Sequence, residues 1–370
     1  MKIGAAIKAD MSEMLYLQDK TLINNDCGIG VEVELENIQY VHITNDKPEM
    51  IDLERFHADR GVRDKLPGFK GLWKIVHDGS LRTGEEFVFN GPLVGANITK
   101  ALKVFQDFVD VYRFNNKSIQ VSKRCSVHVH LDVRDMNEEE LVNFILIYIL
   151  VERLLFIYIN PERKKNNYCK PLTDSAFKHI IAELKDRPAD IDMLLRTIRH
   201  SCDKYSALNI LPVIKYGSAE FRHHQGTTDI LSLKNWINII FAVKRASQYH
   251  ITYYLDGYNK FGFDWVINNI FEGTVLKDIL LNDYEAPHLL LRGYNDTSEI
   301  VNMGKLKDLT TRHERAKVRP VNTLLYKFKV ANNLLPKKEP SKPVKIKQPE
   351  RLNIFDEWQV VNTIADFTGE

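Results

Sequence analysis

Glu32 and Glu34 stand two residues apart in Gly28-Ile29-Gly30-Val31-Glu32-Val33-Glu34-Leu35-Glu36. A strand sends residues i and i+2 to one face. Glu32, Glu34 and Glu36 therefore share a surface, with Val31, Val33 and Leu35 behind them. Aligned carboxylates repel one another and do not help a strand form. Two uses are open: a solvated sheet face, or a site that gathers cations, since hard divalent ions take carboxylate oxygens.

The same spacing recurs elsewhere with groups that can hold a metal. Cys125 to Val133 alternates cleanly, with Ser126, His128, His130 and Asp132 on one side and Cys125, Val127, Val129, Leu131 and Val133 on the other. Ser218 to His223 puts Glu220 and Arg222 on one face. Glu85 to Asn90 does the same for Glu86, Val88 and Asn90. Taken singly, each is what an exposed strand or a surface ion pair would give. If these strands are neighbours in one sheet, their polar faces converge. Such a cluster needs counter-charge, or its acids take up protons. Carboxylate-rich ligation with a minor imidazole share suits Mg²⁺ or Mn²⁺. Zinc on His128, His130 and one carboxylate is the alternative.

The surrounding elements must bring these strands together. The spacing predicts a strand from Gly28 to Ile43, loop with at most a short helix over 44–72, and a strand at Trp73 to Val76 that ends at the turn His77-Asp78-Gly79-Ser80. Gly91-Pro92 ends the Glu86 strand. Leu102, Phe105, Phe108, Val109 and Tyr112 recur at helical spacing over Thr99 to Phe114. Asn137 with Glu140 forms a capping-box pattern opening an apolar helix to about Ile159. A basic loop, Pro161 to Lys170, follows. Asp174 caps a predicted helix through Leu184, and another runs from Pro188 to His200. Tyr205 to Leu211 reads as a strand and Thr228 to Tyr254 as one long helix. Strands and helices come in groups rather than strict alternation, which favours α+β with a largely antiparallel sheet.

The chain has 370 residues, 44% hydrophobic and 27% charged, which is room for a sizeable core. A formal net charge of +2 gives no argument for nucleic-acid binding. Cys27, Cys125, Cys169 and Cys202 are widely spaced with no CxxC pair, which favours a reducing compartment. The first residues lack the apolar run of a signal peptide. The apolar run Phe144 to Val151 is far shorter than the roughly 20 residues of a membrane span and reads as a buried helix. The expected location is the cytoplasm, with no membrane partner. Expected divisions are an extension over 1–26, a catalytic domain over 27–255 and a mostly helical continuation over 256–336. A Pro/Lys-rich linker over 337–350 and a C-terminal docking helix over 351–370, for this chain or a partner, complete the series.

The ordered set Val31-Glu32-Val33-Glu34, Asp78-Gly79-Ser80-Leu81-Arg82, Glu86-Phe87-Val88 with Gly91-Pro92-Leu93, Ser126 to Asp132, Asn167-Tyr168-Cys169 and Glu220-Phe221-Arg222 resembles the amidoligase family. These are carboxylate–amine ligases related to glutamine synthetase and glutamate–cysteine ligase. The resemblance covers about residues 28–250. It implies a curved, largely antiparallel sheet, a partial barrel of glutamine synthetase-like type packed with long helices. It implies an ATP-dependent ligase using Mg²⁺ or Mn²⁺. Glu32 and Glu34 would supply ligands to a metal pair, Glu86 completing one metal and His128 with Glu220 the other. His130 would lie near the ATP phosphates, and Arg222 would hold the substrate carboxylate or the transferring phosphoryl group. One departure concerns Phe89-Asn90-Gly91-Pro92, where the family commonly carries a small hydroxyl residue.

Joining a carboxylate to an amine in water is uphill, and phosphorylating the carboxylate removes that obstacle. Phosphoryl transfer asks for positioning and charge neutralisation. Arg222 offers a planar fork for carboxylate or phosphate. No Walker-type or GxGxxG motif is present, so metals and basic side chains must hold the nucleotide; the candidates are Lys123, Arg124, Arg163 and Lys170, with Tyr168 beside them. Asp78 and Arg82 are candidates for substrate contact, although Asp-Gly-Ser is also good turn chemistry. Glu36 or Asp132 could take the amine proton. Cys169 has no visible histidine partner to make it a nucleophile. The rivals are a metal-dependent hydrolase using His128 and His130, and a non-catalytic binding or assembly protein. Small-molecule or peptide acids and amines are the expected substrates.

Overall fold

The acidic stretch forms strand β1 (Ile29–Glu36), in which Ile29, Val31, Val33 and Leu35 are completely buried. The computed structural model describes residues 27–36, 40–44, 47–51, 69–76, 78–81, 84–116, 119–175 and 191–303. Strands β2 (Tyr40–Thr44) and β3 (Lys47–Ile51) form a separate antiparallel pair. The predicted strand to Ile43 is thus two strands, and part of the predicted 44–72 loop is the second arm of a hairpin.

The main sheet holds β1 at its centre. It runs β4 (Trp73–Val76), β5 (Gly84–Phe89), β1, β6 (Ser126–Asp132), β8 (Ser218–Gln225) and β7 (Leu208–Asn209). Every pairing in it is antiparallel, and β4 and β7 are left as edges, so the sheet is open. The strand predicted over Tyr205 to Leu211 shrinks to the two residues of β7.

Helices cover the apolar face. In α1 (Ala96–Asn116), Phe105 stacks on Trp73 at 4.9 Å and Phe108 packs on Phe87 at 5.1 Å. Helix α2 (Glu138–Tyr158) starts with the predicted capping box: Glu140 N–H donates to Asn137 Oδ1 and Asn137 N–H to Glu140 Oε2, both at 2.9 Å. It is long and apolar enough to cross a membrane, but most of it is buried within the protein. Helix α3 (Ile230–Ala246) stops short of the predicted Tyr254. His250 ends the intervening turn by accepting from Thr252 N–H at 3.1 Å, capping a new helix, Ile251–Phe261. Helix α4 (Ala286–Met303) lies against α2, joined by Arg153 to Asp296 at 2.6 Å. Gly293 permits the approach, because a Cβ there would collide with the Leu150 carbonyl oxygen. Between Ile251 and Met303 the chain is mostly helical. The 1–26 extension, the 337–350 linker, the 351–370 helix and most of the helix expected after Asp174 lie outside the described residues.

Between β6 and β8 the register shifts. Val129 faces Phe221 and Val127 faces His224, so β8 carries one extra residue. This bulge buries two successive residues, His223 and His224, while keeping Glu220 and Arg222 on the opposite, polar face.

Candidate active site

Strand register assembles the cluster. Glu34 lies opposite Glu86, Glu32 opposite His128, Gly30 opposite His130, and His130 opposite Glu220. Directly opposed residues share a face, so four adjacent strands, β5, β1, β6 and β8, deliver these side chains to one surface. Ligand atoms of Glu32, His128 and Glu220 all lie within 4.8 Å of one another, and so do those of Glu34, Glu86 and His128. His128 belongs to both groups.

Hydrogen bonds fix the individual atoms. Ser126 donates through N–H at 2.8 Å and Oγ at 2.7 Å to Glu34 Oε2, and its Oγ lies 2.8 Å from His128 Nε2. His128 Nδ1 is 3.0 Å from Glu32 Oε2, and His130 Nε2 is 3.1 Å from Glu32 Oε1. Ser218 Oγ holds the other ring nitrogen of His130 at 3.2 Å. Asn209 donates to Glu220 Oε2 at 2.7 Å. Arg222 pairs with Glu220 through Nη1 and reaches Tyr168 O through Nε at 3.4 Å.

The site is short of positive charge. Burial raises the Glu86 carboxyl, and the charges of Glu32, Glu34 and Asp78 raise it further, to about 9. Burial alone would raise Glu32 too, but the charge of His130 and hydrogen bonds from both histidines hold it well below the usual carboxylate range. In His130, burial favours the neutral ring, yet Glu32 outweighs it and lifts the imidazole to about 8. Oxygen donors with one shared imidazole are the donor set that Mg²⁺ or Mn²⁺ takes. The two-histidine zinc arrangement is less well matched, because His130 turns to Glu32 and Ser218 and joins neither group.

A cleft of about 170 Å³ opens beside the cluster, at the Gly28 end of β1. Gly28 and Gly30 occupy the face that Glu32 and Glu34 continue, so the missing side chains leave room there. A Cβ on Gly30 would sit 3.2 Å from His130 Cβ. Val88, Phe89 and Pro92 give apolar lining, and Lys74, Arg134 and Ser218 polar lining.

Other predicted residues fall elsewhere. Lys123 pairs with Glu162 at 2.8 Å, Arg124 donates to Ser80 O at 2.8 Å, and Lys170 lies 3.3 Å from Asp203. None of them lines the cleft. Arg163 is buried and donates to the carbonyls of His223 at 3.0 Å and Arg222 at 2.8 Å, so it shapes β8 and does not face a nucleotide. Tyr168 is exposed, edge-on to Tyr205 at 5.2 Å. Asp78 accepts from Ser80 N–H at 2.8 Å and Oγ at 2.7 Å, closing its own turn close enough to Glu86 to act on its charge. Arg82 lies outside the described residues. Asp132 is gripped by Arg134 at 2.9 and 2.8 Å. Glu36 is buried at the far end of β1, opposite Gly84. Burial pushes the Cys169 thiol up to about 12, consistent with an inert thiol. Ser126, Ser218 and Asn209, to which the sequence assigned no role, hydrogen-bond to the side chains of the cluster. Ser126 and Ser218 did carry a signal, each standing two residues before His128 or Glu220.

A family model described as "Putative amidoligase enzyme" matches residues 96–243. That span includes the His128 and Glu220 strands but not β1 or Glu86; register brings those in. No curated protein matches the chain. Among solved structures, one described as "Crystal structure of novel glutamine synthase homolog" is similar at 14% identity and a TM-score of 0.38, covering 86% of this chain and 74% of that one.

Proposed function

We propose that this protein is an ATP- and divalent metal-dependent ligase that joins a carboxylate to an amine through an acyl phosphate. The observation that carries the reading is the pair of metal-competent groups sharing His128 on one sheet face. The family match over residues 96–243 supports a ligase. The partial-barrel architecture of glutamine synthetase-like enzymes goes with the same reading.

Glu34 and Glu86 with His128, and Glu32 and Glu220 with His128, are the residues that would hold Mg²⁺ or Mn²⁺. When bound, such ions supply charge neutralisation to phosphate oxygens. Ser126 occupies one oxygen of Glu34, while Asn209 and Arg222 take one oxygen each of Glu220 and fix its orientation. The cleft beyond His130 is the place for the nucleotide. A substrate carboxylate oxygen attacks the terminal phosphorus and ADP leaves. The amine nitrogen, in its neutral form, then attacks the acyl carbon, the C–O bond to phosphate breaks, and the nitrogen's proton leaves with the inorganic phosphate. Arg222, restrained by Glu220 and Tyr168 O, presents its remaining N–H groups to the anionic reactant.

The test is to incubate the protein with ATP, Mg²⁺ and pools of acids and amines, and to follow nucleotide products. ADP and phosphate should form when a suitable acid and amine are both present. AMP as the product would overturn the acyl-phosphate route. Cleavage of amides without ATP would replace the ligase with a hydrolase.

A further inference from the structure

Strand β4 is an edge strand whose Trp73 is buried in the core, its indole N–H donating to Ala101 O at 2.8 Å. Alternation then turns Lys74 to the polar face, where it is half-buried and lines the cleft. Register sets Lys74 opposite Val88, Val88 opposite Glu32 and Glu32 opposite His128. These side chains form one row. Lys74 and Glu32 are two strand spacings apart, about 10 Å between Cα atoms, a gap that a lysine side chain largely spans.

The cleft's other cations are engaged. Arg134 is chelated by Asp132, and His130 is held between Glu32 and Ser218. Lys74 has no hydrogen-bond or ion-pair partner among the described residues. A cation held half-buried without a partner among the described residues suits an anionic ligand. A bare carboxylate would be repelled where the cleft meets Glu32. A polyphosphate arrives with divalent cations of its own, which Glu32 attracts.

Building on the ligase reading, we propose that Lys74 is the polyphosphate-binding cation of the site, gripping the β- and γ-phosphates of the nucleotide. It takes the part that the lysine of a phosphate loop plays in proteins that have one, a motif this sequence lacks. The glycines at 28 and 30 let the ligand lie close to the backbone of β1.

The experiment is a fluorescence titration of the full chain with mant-ATP and, in parallel, mant-AMP, in Mg²⁺. Wild type is compared with Lys74→Met and Lys74→Arg, and melting temperatures are recorded for each. Lys74→Met should weaken mant-ATP roughly tenfold or more and leave mant-AMP within about twofold, with Lys74→Arg recovering most of the loss. Unchanged mant-ATP affinity in Lys74→Met overturns this assignment and leaves the ligase reading standing. Equal losses for both nucleotides also overturn it, since the lysine would then act on the fold or the base. A wild-type chain that binds neither nucleotide, in Mg²⁺ or Mn²⁺, overturns the ligase reading itself.

Discussion

Strand β8 separates two clusters built from the same residue types. On one face Glu220 meets Glu32 and His128. On the other, in the core, His223 meets Tyr148, which donates in turn to Glu152. The core carboxylate is saturated: Glu152 accepts from Tyr148 Oη at 2.6 Å, Leu172 N–H at 2.6 Å and Thr173 N–H at 2.8 Å. Its polar capacity is used in tying α2 to the segment after the basic loop. On the polar face burial, with the charges of Glu32, Glu34 and Asp78 added to it, drives Glu86 up to about 9. Residue types are alike in the two places, but Glu32 and Glu86 are half-buried whereas Glu152 and His223 are fully buried. A further difference lies in where the donors come from, and it separates a saturated structural network from a metal-competent set of groups.

Breaking each cluster should have opposite effects. Glu34→Gln should cut ATP-dependent turnover by roughly 10²-fold or more while circular dichroism and melting temperature stay near wild type. Unchanged ADP release in that variant would remove β1 from the site. Glu152→Leu should do the reverse. It leaves Tyr148 Oη and the N–H groups of Leu172 and Thr173 without their acceptor, at about 1–3 kcal/mol for each buried group. Urea unfolding should register a loss of several kcal/mol, and Mn²⁺ binding by the folded fraction should persist.

A smaller effect sharpens the contrast through pH. Burial, aided by the charge of Arg163, pushes His223 down to about 3, and burial pushes His224 down to about 4. An unfolded histidine protonates near 6.5. Protons therefore bind the unfolded chain better between those values, and stability present above about pH 6.5 is lost as the pH falls toward 4 and below. His224→Gln should flatten the dependence of the urea midpoint between pH 7 and 5. An unaltered slope would mean that His224 is protonated in the folded protein.

Much of the polar face was legible because a strand's period is strict. Glu32 with Glu34, His128 with His130 and Glu220 with Arg222 needed no more than alternation, and the register places them together. Sequence gave no comparable handle on Arg163. Arg163, Lys164 and Lys165 follow one another, and it takes the 3-10 turn Pro161–Lys165 to decide which of them is buried. The consecutive histidines after Arg222 are equally opaque, because a bulge breaks the alternation that would sort them. Asn209 sits on a strand too short to have a pattern. The cleft leaves no mark in the sequence because it is made by absent side chains, at Gly28 and Gly30.

Strand β1 is in effect a measuring rod. Its polar face reads Gly28, Gly30, Glu32, Glu34, Glu36 at one mark every two residues, about 6.7 Å, and each mark lies across from a different partner. Substitution changes what stands at a mark; a change of length changes every mark beyond it. One residue inserted after Gly30 would turn the acids into the core and the valines out to the cleft. Drift in length should therefore be confined to the chain on either side of this strand, whereas side-chain chemistry within it can be retuned mark by mark.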